Sequence, residues 1–62
     1  MRESYRAALS EQANWLEDVL AGLLINDVSR LDIEIRYFQN DPFRIVVAVR
    51  GVVKYEHKIK IA

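Results

Sequence analysis

The side chains that most often carry nucleophilic or general-base chemistry are few here: Ser4, Ser10, Ser29 and a single histidine, His57. None of the serines stands in the glycine-flanked elbow that exposes a catalytic hydroxyl. A lone histidine cannot build the usual multi-histidine metal site. The absence of cysteine removes thiol chemistry and disulfides together. His57 could act as a base only if it faced solvent beside a carboxylate, and its place in an alternating segment puts it on the core side of a strand. Glu17 and Asp18 are neighbours on a helix and diverge by about 100°, as two solvated carboxylates do. Gly22 and Gly51 are too far apart to form a phosphate-cradling loop. No catalytic constellation, cofactor site or metal site is expected, so the work expected of this chain is binding or assembly.

The elements that would position a binding surface are readable from periodicity. Residues 4–25 carry Tyr5, Leu9, Ala13, Leu16, Leu20 and Leu23 at steps of three and four, the mark of an amphipathic helix. Ala8, Gln12, Trp15 and Val19 flank that stripe. The apolar sector covers about half the circumference, wider than the roughly 100° one sheet contact needs. Ser4 is the expected N-cap and Asn26-Asp27 the expected stop. Gly22 either ends the helix early or permits a close backbone approach.

Three strands follow. Leu31, Ile33, Ile35 and Tyr37 alternate with Arg30, Asp32, Glu34 and Arg36. After the turn chemistry of Gln39-Asn40-Asp41-Pro42, a second strand runs from Phe43 to Arg50. Gly51 marks the next turn, and a third strand runs from Val53 to Ile61. The odd-numbered residues form the expected core face, so cross-strand partners must share parity. A plain two-residue turn at Gly51-Val52 would break that rule, so an odd loop or a bulge is expected at each connection. In the first hairpin one register opposes Arg36 to Arg44; a shift by two opposes Asp32 to Arg50, which charge favours. The result is one α+β domain over residues 1–62: a two-layer α-β-β-β unit, its N-terminal helix on a three-stranded antiparallel meander. Leu16, Leu20, Ile33, Ile35, Val47 and Ile59 are its expected shared core.

Charge divides between the layers although the formal net charge is zero. The even-numbered sheet face carries Arg30, Arg36, Arg44, Arg50, Lys54, Lys58 and Lys60 against Asp32, Glu34 and Glu56, seven basic against three acidic. Arg2 and Arg6 stand against six acidic residues elsewhere. Such a face either solubilises the sheet or docks an acidic partner, nucleic acid included. Against nucleic acid, the only aromatic platform this face offers is Phe38. Phe38, Val46, Ala48 and Val52, joined by Val28, form an expected apolar cluster there, and Trp15 on the helix edge is a second candidate contact.

A chain of 62 residues lies near the lower limit for independent folding, which favours added burial in an oligomer. No segment approaches the ~20 apolar residues of a membrane span, and the N-terminal Met-Arg-Glu-Ser-Tyr-Arg lacks a secretory apolar core. A cytoplasmic, non-enzymatic interaction module is expected, with itself or another protein as partner. The alternatives are nucleic-acid binding through the basic face, or a small inhibitor or antitoxin-like protein that blocks an enzyme. The order of helix, turn with Asp27 and alternating strands resembles the C-terminal part of phage baseplate wedge proteins in hydrophobic pattern alone. Small stand-alone domains of this kind occur in phage and mobile elements.

Overall fold

A computed structural model describes residues 3–59 of the chain. One N-terminal helix, α1 (Glu3–Ile25), packs on an antiparallel sheet of β1 (Ile33–Phe38), β2 (Asp41–Val49) and β3 (Val52–Lys58), in the order β1-β2-β3. This is the α+β meander that the alternation implies. Ser4 lies inside the helix rather than ahead of it. The helix runs straight through Gly22, where a Cβ would meet nothing within 4 Å, so that glycine neither ends the helix nor makes room for a neighbour.

The stop falls where the Asn-Asp pair places it. Asp27 takes a left-handed backbone with φ of 62°. The Val28 amide donates to the Leu23 carbonyl at 3.0 Å and the Asp27 amide to Leu24 at 3.2 Å. These two bonds make a Schellman motif, which normally carries an apolar contact across it. Here Val28 and Leu23 supply that contact inside the core cluster. Val28 therefore packs under the helix and not, as expected, on the outer face of the sheet.

The helix meets the sheet on a different meridian from the expected one. Its buried residues are Ala8, Gln12 and Leu23, with Trp15, Leu16 and Val19 packed beside the core. At ~100° per residue that line is turned about 60° from the Tyr5–Leu9–Ala13–Leu16–Leu20–Leu23 stripe. Two flank contacts, from Trp15 and Gln12, hold it there, and Tyr5 anchors its N-terminal end. The Tyr5 and Phe43 rings meet edge-on at 5.2 Å, Trp15 lies 5.0 Å from His57, and the Gln12 side-chain amide donates to the Pro42 carbonyl at 3.3 Å. The helix thus lies closest to β2 and β3.

The first strand starts later than its alternation suggests. Arg30–Asp32 is a short 3-10 turn capped by Ser29, whose hydroxyl accepts from the Leu31 amide at 3.2 Å. Leu31, expected in the core, is 96% exposed. A local serine bond competes with the extended backbone, and residue alternation carries no trace of it.

Both connections satisfy the parity rule by bulges. A tight turn at Gln39-Asn40 pairs Phe38 with Asp41, and the irregularity that follows restores Tyr37 to Ile45. Pro42 sits in that bulge, where its missing N–H breaks no ladder bond, and the Asp41 carboxylate accepts from the Phe43 amide at 3.2 Å. The register is the charge-favoured one. The Arg50 amide donates to the Asp32 carbonyl at 2.8 Å, and the two side chains pair at 3.2 Å.

The second turn is Arg50-Gly51, with φ of 51° and 81°, both positive as a type I′ hairpin requires. It shifts the register, and Lys54 is left unpaired between Val47–Tyr55 and Ala48–Val53. That bulge restores His57 to the helix side, opposite Ile45. It also exchanges two neighbours: Val53, expected in the core, pairs with Ala48 on the outer side, and Val52 pairs with Val49 on the helix side.

The middle of β2 is buried on both faces, from Ile45 through Val49 without a break. Of the six expected core residues, Val47 is fully enclosed, while Leu16 and Ile33 pack at the cluster's edge. Leu20, Ile35 and Ile59 are only half-buried. Lys60 and Ile61 lie outside the described residues.

Candidate functional site

The outer face of the sheet is less open and less basic than composition suggests. Val46 and Ala48, expected as an uncovered apolar patch, are 3% and 0% exposed. They lie between longer neighbours: Val46 between Arg36 and Glu56, Ala48 between Glu34 and Val53. Large flanking side chains close over small central ones, so no second layer is needed to bury them. Phe38 is half-buried, with the Arg44 guanidinium 4.2 Å above its ring. That contact occupies the face a base would stack on.

Three arginines of this face are already paired. Arg36 meets Glu34 at 2.7 Å, Arg44 meets Glu56 at 2.7 Å, and Arg50 meets Asp32 at 3.2 Å. Arg30 is not on this face at all; it lies at the mouth of a groove on the helix side. Lys54 sits in the bulge, and Lys58 opposes Arg44. Phosphate binding would have to compete with carboxylates at three positions.

His57 has a carboxylate nearby but little access to water. Its Nε2 lies 4.0 Å from a Glu11 oxygen, its side chain is 16% exposed, and Trp15 covers the ring. Nδ1 is buried without a hydrogen-bond partner among the described residues. The geometry is that of an aromatic packing element. Trp15, proposed from the sequence as a free contact, is spent on this stack and on the core edge.

An open apolar groove lies elsewhere, along β1. Because α1 sits over β2 and β3, its Leu20, Ala21 and Leu24 overhang the helix-side face of β1. They form a groove of about 630 Å³ whose floor is Ile33 and Ile35 and whose rim carries Glu17, Asp18 and Arg30. Tyr37, on the same side of β1, is 69% exposed, and Ile25 is 80% exposed. Among the described residues, the outer long edge of β1 pairs with no strand.

The five residues proposed as an interface do not come together. Trp15 and Val52 belong to the helix side, and Phe38, Val46 and Ala48 to the outer side. The groove residues are not among them. Their signal was the breadth of the helix stripe: an apolar sector wider than one contact leaves part of itself unspent.

Among the described residues no helix is long and apolar enough to cross a membrane, and no three His, Asp or Glu side chains cluster as a metal site would. No known protein family matches the chain, and no curated protein or solved structure is detectably similar to it.

Proposed function

We propose that this chain is a non-enzymatic assembly module of the cytoplasm that works by pairing with a second copy of itself. One observation carries the reading: the apolar groove between α1 and β1 lies beside an unpaired strand edge. Apolar floor and walls reward burial, and the edge offers backbone donors and acceptors in a row. The functional surface is then Leu20, Ala21, Leu24, Ile33 and Ile35, in place of the outer face. The satisfied ion pairs of that outer face argue for a solubilising role there.

Light scattering across a concentration series tests the reading. The chain should pass from monomer to dimer between low micromolar and roughly hundreds of micromolar, the range of a weak self-contact. Leu24→Glu, on the exposed groove wall, should leave the fold intact and hold the chain monomeric. A cooperatively folded monomer at the top of that range overturns the proposal.

A further inference from the structure

We infer that the second copy docks by antiparallel pairing of β1 with β1, about a twofold axis through Ile35, to give a continuous six-stranded sheet. This rests on the self-association reading above and specifies the edge and the register.

The argument begins with backbone phase. The Asp32 carbonyl points at β2, where it accepts from Arg50. In a strand the N–H and C=O of one residue point the same way, and successive residues alternate. Even-numbered residues of β1 therefore spend their backbone groups on β2. Ile35 and Tyr37 turn theirs toward the free edge, as Ile33 does its carbonyl, its amide being held by the Arg30 carbonyl. A partner copy can bond only by bringing its own odd residues against these, so the register must pair odd with odd.

Side-chain charge then selects among the remaining registers. With Ile35 opposite its copy, Ile33 meets Tyr37 on the helix side, a wholly apolar ladder. On the outer side Glu34 meets Arg36 twice, once in each direction. Shifting by one pair sets Arg36 against Arg36, or Glu34 against Glu34, and directly opposed like charges destabilise a sheet. Glu34 and Arg36 already touch within one chain at 2.7 Å, both largely exposed. In the dimer four charges of alternating sign would close into a ring.

The two layers agree with this geometry. The twofold keeps both helices on one face, each overhanging its own β1, so the two groove walls meet above the ladder of Ile33, Ile35 and Tyr37. The other sheet edge is unsuited. β3 is broken by the Lys54 bulge and carries Lys54 and Lys58, devices that protect an edge from pairing. Between Ile33 and Tyr37, β1 has no bulge, lysine or proline.

A charge exchange tests register and partner together, at low salt, with sedimentation equilibrium as the readout and circular dichroism as the check on folding. Glu34→Arg alone and Arg36→Glu alone should each weaken the dimer about tenfold or more, because both cross-pairs become repulsive. The double variant E34R/R36E should return to near the parent affinity. An equimolar mixture of the two single variants should form heterodimers preferentially, since every cross-pair in the mixture is again of opposite sign. A chain that dimerises but ignores these substitutions, or whose double variant is not restored, overturns the β1 edge and leaves the self-association reading standing. A parent chain that stays monomeric at hundreds of micromolar removes both.

Discussion

Ile45 is the position at which one substitution tests the core most directly. Its side chain is 1% exposed, it pairs with Tyr37 on one side and His57 on the other, and it lies on the helix side of β2. Ile45→Ala removes three carbons, a transfer loss of about 2.4 kcal/mol at ~0.8 kcal/mol each. Neighbouring strands hold the site open, so part of the vacated space persists as a cavity. At ~24 cal/mol per Å³, a residue of about 40 Å³ adds roughly another 1 kcal/mol. The expected total is ~3–4 kcal/mol. A chain of 62 residues has about 3–9 kcal/mol of stability altogether, so the variant should sit close to unfolding. Urea titration followed by the fluorescence of Trp15, the single tryptophan, measures this at fixed dilute protein, where self-association does not add to stability. With a slope near 1 kcal/mol per molar, the midpoint should fall by about 3 M. Ile45→Val should fall by roughly a third as much, and Leu20→Ala, on the groove wall, by about 1 kcal/mol or less at that dilution. If Ile45→Ala costs under 1 kcal/mol, the enclosed β2 core is refuted; if Leu20→Ala costs as much as Ile45→Ala, the helix lies on its other meridian and the groove does not exist.

Three further outcomes follow from single features. Gly22→Ala should stabilise by about 0.5–1 kcal/mol, since the helix passes through that position and a Cβ meets open space; a loss in thermal melting would mean a close approach at that position. His57→Phe should raise stability by about 1 kcal/mol, because Nδ1 is buried without a partner and the Glu11 contact is long and outward; a drop in urea midpoint would give the imidazole a role beyond packing on Trp15. Deleting Lys54 should cost less than about 1 kcal/mol, since it heals the bulge and keeps every other β3 pairing. Deleting Glu56 should cost at least about 2 kcal/mol, because it exchanges the faces of residues on one side of the cut, and equal losses in the two deletions would refute the assigned register.

The sheet was legible and the interface was not, for a physical reason that particular residues make plain. Alternation with period two has only two phases, so Ile33, Ile35, Val47 and His57 could be assigned to a face by counting. The parity rule then required irregularities, and Lys54 and the Pro42 segment supply them. Counting could not say which residue would bulge, and a slip of one place sent Val53 outward and Val52 inward. Charge chose between registers through Asp32 and Arg50. Leu31 was misplaced because the Ser29 hydroxyl holds a 3-10 turn that alternation does not register.

A helix allows no such counting. Its apolar sector is continuous, and the part that meets the sheet depends on what the sheet offers. Here His57 and the Pro42 carbonyl draw in Trp15 and Gln12, and the helix turns toward β3. That rotation decides where the surplus apolar surface emerges. Had the expected stripe faced the sheet, Trp15 would have been the spare contact and β1 would have been covered. Because the flank faces it instead, Leu20, Ala21 and Leu24 project over Ile33 and Ile35, beside the edge toward which Ile35 turns its N–H and carbonyl. The candidate site is therefore a consequence of two local contacts on the flank of the helix. A substitution that loosens them, Trp15→Ala above all, should disturb self-association without touching the groove.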